Sequence, residues 1–147
     1  MIAKRVATAA AMGAAAAFAK GYSMIRVLLV DDQAHVRTGW RMRLSLEPDI
    51  IIAGEAADGR QAVELAAELQ PDVVLMDVEM PGMDGITATG HLLEASGTCA
   101  VVVTSIFDNS STRALSRAAG AAAFVGKQEP IDTLLAAIRA CAQKPVG

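Results

Sequence analysis

The chain reads as a single α/β domain, a doubly wound parallel sheet with helices on both faces, and three observations lead there. From Ile25 onward, short aliphatic runs recur without polar alternation, the mark of strands buried on both faces. Between them lie segments with apolar residues at helical spacing, so that strand and helix alternate five times. Such an order implies a parallel sheet covered by helices on both sides. The third observation is an aliphatic run, Val73-Val74-Leu75-Met76, that ends in Asp77 just ahead of the turn Met80-Pro81-Gly82. A buried strand that stops at an acid before Pro and Gly is how an α/β domain presents a reactive group at its sheet edge.

Taken in order, Ile25 to Val30 is the first strand, too short for a helix and bounded by the acid pair Asp31-Asp32. Val36, Trp40 and Leu44 then recur at i, i+4 and i+8, with Arg37, Arg41 and Arg43 on other faces, which is an amphipathic helix. Ile50 to Gly54 forms the second strand, and Ala62, Val63, Ala66 and Leu69 mark a second helix that Pro71 terminates. Asp72 to Met76 is the third strand, Ile86 to Leu93 is helical, and Ala100 to Thr104 is the fourth strand. Ser110 to Ala119 is a helix of small residues closed by Gly120, Ala122 to Val125 is a short fifth strand, and Ile131, Leu134, Leu135 and Ile138 line a last helix.

With 147 residues, 53% of them hydrophobic and 20% charged, the chain can bury one core and is not a disordered polymer. Aromatics make up only 3%, so the core must be aliphatic. The net charge of −3 and the lack of any Lys/Arg stripe give nucleic-acid binding no support. Cys99 and Cys141 lack CxxC spacing and read as small buried hydrophobes in a reducing compartment.

Residues 1–23 differ from the rest, with ten alanines, three basic residues (Lys4, Arg5, Lys20) and no acid. From Met24 onward ten basic residues face sixteen acidic ones. The leader has the outline of a signal peptide, with Ala17-Phe18-Ala19 as a cleavage-like triplet. Its apolar stretch between Arg5 and Lys20 is shorter than the ~20 residues that span a bilayer. We read it as an Ala-rich extension ahead of a cytoplasmic domain, with no membrane association.

A parallel sheet places its working residues at the carboxyl ends of its strands. Read there, the sequence offers Asp31 and Asp32, Asp77, Thr104 with Ser105, and Lys127. Three carboxylates at such close range repel by roughly 4 kcal/mol per pair, for 4 Å and an effective dielectric of 20. A cation must hold them together, and hard oxygen ligands favour Mg²⁺. A carboxylate nucleophile, a divalent cation, an ammonium and a hydroxyl form a phosphoryl-transfer site, with Asp77 as the attacking group.

The motifs Val30-Asp31-Asp32, Asp77 with Met80-Pro81-Gly82-Met83-Asp84-Gly85, Val103-Thr104-Ser105 and Gly126-Lys127 resemble the receiver domain of two-component response regulators, over Met24 to about Ala142. The phrases His35-Val36-Arg37-Thr38-Gly39 and Gly54-Glu55-Ala56-Ala57-Asp58-Gly59 point to its NarL/FixJ-like branch. The resemblance implies a flavodoxin-like (βα)5 three-layer sandwich with strand order 2-1-3-4-5, the receiver occupying residues 24–147 behind the extension of residues 1–23. It implies that Asp77 takes a phosphoryl group from a sensor histidine kinase. Asp32 would ligate Mg²⁺ directly, Asp31 largely through water, and the backbone carbonyl of Glu79 would complete the protein ligands beside Asp77. Lys127 would hold a phosphoryl oxygen. Thr104 would swing to the phosphate and open space for Phe124, a bistable packing element that alters the surface of the fourth helix, fifth strand and last helix. That surface would serve homodimerisation or partner binding, and the chain would be no enzyme beyond its own phosphorylation and dephosphorylation.

Two departures from the family pattern bear on the site. Gln128 and Glu129 separate Lys127 from Pro130, implying a longer or reshaped loop. Phe124 lacks a tyrosine's hydroxyl, so its two positions would differ by packing alone. Family members of this branch continue into a LuxR-type helix-turn-helix, so the chain is expected to be either a stand-alone receiver or the receiver part of a transcription factor. A small aspartyl-phosphate phosphatase and a phosphorylation-independent scaffold are the competing functions. His35 and His91 lack a helix-bundle setting and are not read as phosphohistidines.

Overall fold

A computed structural model of the chain describes residues 24–143. The leader, with its export-like outline, lies outside the described residues. The elements follow in strict alternation. They are β1 (Ile25–Val30), α1 (Ala34–Leu44), β2 (Ile50–Ala56), α2 (Gly59–Leu69), β3 (Val73–Asp77), α3 (Gly85–Ala95), β4 (Ala100–Ser105), α4 (Ser110–Ala118), β5 (Ala123–Gly126) and α5 (Ile131–Ala142). All strand pairs are parallel, in the order β2-β1-β3-β4-β5. The expected flavodoxin-like (βα)5 sandwich is therefore the observed one. Among the described residues no helix is long and apolar enough to cross a membrane.

The unbroken aliphatic runs are explained by a core on each face of the sheet. Successive residues of a strand point to opposite faces, and here both faces are covered. Val27, Leu29, Val73, Leu75 and Val102 pack with Leu44, Leu134, Leu135 and Ile138 under α1 and α5. Leu28, Val30, Val74, Met76, Val101 and Val103 pack with Ala62, Ala66, Ala88 and Leu92 under α2 and α3. Each of the four aliphatic residues of β3 is fully or almost fully buried. At about 1.5–3 kcal/mol for each such side chain the run is firmly anchored, and because both faces are apolar it is the polar ends that fix its register, for a one-residue slip would draw Asp72 or Asp77 into the interior. The burial of that run is what holds Asp77 at the sheet edge.

The edges of most elements differ from the sequence expectation by one or two residues, β3, for example, running from Val73 to Asp77 and β4 reaching Ser105. β2 continues past Gly54 to Ala56; its pairing with β1 passes over Ala53, going from Val27 opposite Ile52 to Leu28 opposite Gly54, and runs on to Val30 opposite Ala56. β5 begins at Ala123 and ends at Gly126, and α3 begins at Gly85 and ends at Ala95. In α1, only Leu44 of the expected stripe is fully buried, with Val36 and Trp40 half-buried beside the sheet edge. Cys99 is buried and Cys141 half-buried, and the two are not joined in a disulfide.

Candidate functional site

The switch in strand order falls between the central strands β1 and β3, whose carboxyl ends deliver Asp31 and Asp77 side by side. The same local device holds both acids. Asp31 Oδ1 accepts the backbone N–H of Gln33 at 2.9 Å, and Asp77 Oδ1 accepts that of Glu79 at 3.3 Å. Each carboxylate thus closes a turn on its own chain two residues on. Asp31 also donates its backbone N–H to the carbonyl of Ala56 at 3.1 Å, which extends the β1–β2 ladder to the site.

The loop from Val78 to Asp84 folds back on itself, with the N–H groups of Met80 and Gly85 both bonded to the Val78 carbonyl at 3.0 Å. Gly82 turns the chain at a φ of +78°, a conformation glycine adopts at no steric cost. Gly85 is needed for a different reason. A Cβ there would lie 2.0 Å from the backbone oxygen of Asp77 and 2.7 Å from its carbonyl carbon. The start of α3 is pressed against the residue that carries the carboxylate, and Asp84 caps it by accepting the N–H groups of Ile86 and Thr87.

Lys127 reaches the acids from the end of β5. Its Nζ lies 3.0 Å from Asp77 Oδ1 and 3.4 Å from Asp31 Oδ2. Its backbone N–H is fixed on the Ser105 carbonyl at 2.8 Å. The two residues inserted before Pro130 leave this reach intact. They form a single turn, closed by the Glu129 N–H on the Gly126 carbonyl at 3.0 Å, and Pro130 then precedes α5.

Asp31, Asp32 and Asp77 each bring a carboxylate oxygen within 4.8 Å of the others. Asp31 and Asp77 are buried, at 2% and 3% exposure, and Asp32 is half-buried. The Asp32 carboxylate has no hydrogen-bond or ion-pair partner among the described residues. Three carboxylates against one ammonium leave an excess charge of −2 in a mostly dry pocket. An all-oxygen donor set with that deficit fits a hard divalent cation of the Mg²⁺ type.

Burial pushes the Asp77 carboxyl up, Lys127 opposes that through its hydrogen bond and charge, and Asp31 and Glu79 push it further, to about 6. Burial works to lower the Lys127 ammonium, but Asp77 and Asp31 outweigh it and hold its pKa above the usual lysine value. The Asp77 shift has a sign that can be tested. With a folded value of about 6 above the ordinary 3.8, the folded state binds more protons between those limits. Its contribution to stability is then fully present below about 4 and is lost as pH rises toward 6, by about 3 kcal/mol at 1.36 kcal/mol per unit. Asp49, held low by its hydrogen bonds to Arg139, gives a slope of the opposite sign. The measurement is therefore a difference. Urea unfolding in EDTA from pH 4 to 6.5 should show wild type losing stability relative to Asp77→Asn, and parallel curves would refute the assignment.

Thr104, at 2% exposure, lies directly opposite Asp77 in the β3–β4 ladder, and the Val78 N–H continues that ladder onto the Thr104 carbonyl at 3.0 Å. Phe124 is offset from it by one residue, for the next ladder pairs Phe124 with Val103 and Thr104 with Val125. The ring is half-buried against the α2–α3 core, and the Arg113 guanidinium stands 4.7 Å from its centroid. Asp108 clamps Arg113 at 2.6 and 3.0 Å. This corrects the expectation that packing alone governs Phe124, because a cation–π contact of about 0.5–1 kcal/mol at exposed sites is added.

Glu79 directs its side chain to the end of β4, where its carboxylate accepts the Ser105 hydroxyl at 2.6 Å and the Ile106 N–H at 3.1 Å. Ser105 Oγ in turn accepts the Phe107 N–H at 2.9 Å. The Glu79 carboxylate stays outside the acid cluster, so only its backbone carbonyl is left to join one. This clasp between the loops after β3 and β4 went unread in the sequence, as did Arg37, whose Nη1 donates to the Asp31 carbonyl at 2.7 Å. His35 and His91 are exposed on α1 and α3, away from any partner helix among the described residues.

The fold is a five-stranded parallel α/β sandwich that gathers three acids, a threonine and a lysine at its strand ends. The model of the response regulator receiver domain matches residues 27–139, and the chain belongs to that family. It is 44% identical over 121 residues to the transcriptional regulatory protein LiaR of Bacillus subtilis, which covers 82% of this chain and 57% of LiaR. The signal receiver domain of the response regulator NarL from Mycobacterium tuberculosis aligns at 32% identity with a TM-score of 0.75, covering 82% of this chain and 97% of that one. The CheX–CheY–BeF₃–Mg²⁺ complex from Borrelia burgdorferi aligns at 25% identity and a TM-score of 0.76, over 86% and 95% of the two chains. The NarL- and LiaR-type likeness agrees with the branch read from the sequence. The chain spans about half the length of the curated relatives it matches, 57% in the case of LiaR.

Proposed function

We propose that the protein is a phosphorylation-dependent signalling receiver in which Asp77 accepts a phosphoryl group from a sensor histidine kinase. The observation that carries this reading is the setting of Asp77, buried at the end of β3 with Lys127 Nζ 3.0 Å away and two further acids within 4.8 Å. Although its pKa is raised to about 6, the carboxylate is mainly ionised at neutral pH and can act as a nucleophile. A carboxylate oxygen attacks phosphorus, the bond from phosphorus to the donor's imidazole nitrogen breaks, and the imidazole leaves with the electron pair.

Asp31, Asp32 and Asp77, with the Glu79 carbonyl, are the atoms that would hold Mg²⁺. The bound ion would neutralise charge on the transferring phosphoryl group and let it enter an acidic pocket. The CheY structure obtained with BeF₃ and Mg²⁺ supports that choice of cation. Lys127 is already placed on Asp77 and can shift its ammonium to a phosphoryl oxygen. Thr104, opposite Asp77 in the ladder, supplies a hydroxyl donor from the other side.

The message travels outward through Thr104 and Phe124. A Thr104 hydroxyl drawn to the new phosphate leaves space at the β4–β5 ladder, and inward rotation of Phe124 would have to break its contact with Arg113. The altered surface of α4, β5 and α5 then serves self-association or a partner. We take residues 24–147 as this unit and residues 1–23 as an extension of it, working in the cytoplasm.

The test is beryllofluoride with Mg²⁺, which mimics the acyl phosphate without turnover. Amide resonances of Thr104, Phe124 and Arg113 are expected to move together at one equivalent bound. A spectrum that stays unchanged at these positions would favour a phosphorylation-independent scaffold instead.

A further inference from the structure

We infer that Arg37 is a positioning residue for the acid pair: by bridging the Asp31 carbonyl and the Glu55 carboxylate it fixes the Asp31–Asp32 peptide plane and so aims Asp32 at the cation. This rests on the Mg²⁺ reading of the site. Helical side chains lean back toward the N-terminus of their helix, and Arg37, in the first turn of α1, does so over the β1–α1 turn. Its Nη1 donates to the Asp31 carbonyl at 2.7 Å and its Nε to Glu55 Oε1 at 3.2 Å. Glu55 lies at the end of β2, opposite Leu29, and its second oxygen is held by Arg41 Nη1. The guanidinium is therefore anchored in the sheet before it touches the loop.

The need for such an anchor follows from the bonds around it. The Asp31 side chain is held by Gln33 and Lys127, but the Asp32 carboxylate has no partner among the described residues. Its direction depends on the backbone that carries it. The Asp31 carbonyl and the Asp32 N–H belong to one planar peptide unit, so a bond that fixes that carbonyl fixes the plane from which Asp32 projects. Groups that orient metal ligands from behind are worth about 10–100-fold in metal affinity.

The prediction has a sign that simple electrostatics would reverse. Arg37 is a positive charge next to an acid cluster, so its removal should tighten binding of a cation if charge were its only effect. Calorimetric titration of Mg²⁺ into the metal-free protein should instead give at least tenfold weaker binding for Arg37→Ala. Arg37→Lys, which cannot span both acceptors, should fall between that variant and wild type, and it carries the test should Arg37→Ala not fold. Arg41→Ala, which leaves the Asp31 carbonyl bond in place, should bind within twofold of wild type. In metal-free spectra the Asp32 amide should shift in Arg37→Ala and Arg37→Lys but not in Arg41→Ala. Unchanged or tighter Mg²⁺ binding by the Arg37 variants, or an equal loss in Arg41→Ala, overturns the inference while the Mg²⁺ site stands. Absence of Mg²⁺ binding by wild type overturns the Mg²⁺ site itself and the inference with it.

Discussion

Asp77→Asn is expected to abolish phosphoryl labelling by acetyl phosphate and Mg²⁺, with wild type taking up one group per chain. On the proposed reading the substitution removes the nucleophile and little else. An asparagine has the same shape, and its side-chain oxygen can still accept from Lys127 Nζ, 3.0 Å from Asp77 Oδ1, and from the Glu79 N–H. It also removes one of three clustered negative charges, so the variant should be as stable as wild type at neutral pH or more so. Labelling lost from a folded protein therefore reports chemistry rather than collapse. Equal labelling of the two proteins would sink the acceptor assignment. Repeated turnover of an external phosphate ester, dependent on Asp77, would move the protein to the phosphatase class.

Gly85→Ala should damage the same centre through packing alone. The added methyl would meet the Asp77 oxygen at 2.0 Å, its carbonyl carbon at 2.7 Å and Val78 Cα at 2.9 Å. All three are backbone atoms, so no rotamer change relieves the clash, and either α3 or the end of β3 must move. Overpacking costs about 1–3 kcal/mol, and the depth of this overlap puts it at the upper end. For a domain of this size that lowers the melting temperature by about 10 °C. Labelling of Asp77 should fall as well, because the strand end that carries it is displaced. Gly90→Ala, in the same helix, is the control. A methyl there meets nothing within 4 Å, and the loss of a mid-helix glycine should stabilise by about 0.4–1 kcal/mol. A Gly85→Ala protein that melts within 2 °C of wild type, a margin below about 1 kcal/mol, would contradict the close approach.

The parts of the molecule legible in the sequence are those written in short-range pattern. Aliphatic runs located all five strands, and the acids or lysine just beyond them located Asp31, Asp77 and Lys127, because a buried parallel strand leaves its first polar residues at the working edge. The strand order came only with the family resemblance. What escaped were contacts between segments distant in the chain. Arg37 to Glu55, Glu79 to Ser105 and Arg113 to Phe124 each join two elements whose approach no local periodicity encodes. Glu79 could equally have faced the acids, and its choice of the Ser105 hydroxyl and Ile106 N–H depends on how the loops after β3 and β4 meet. Gly85 was visible as part of a turn, but its contact with the Asp77 backbone arises only when α3 docks.

The ion pair between Lys127 and Asp31 joins residues 96 positions apart, from the two ends of the fold. A ribosome-bound chain that has made β1 and β3 but not yet β5 would carry the acids without their ammonium, and with an open edge on β4. Such a nascent chain presents three repelling carboxylates and should be a poor phosphoryl acceptor. On the proposed reading, the acids of β1 and β3 gain their ammonium only once β5 has been added.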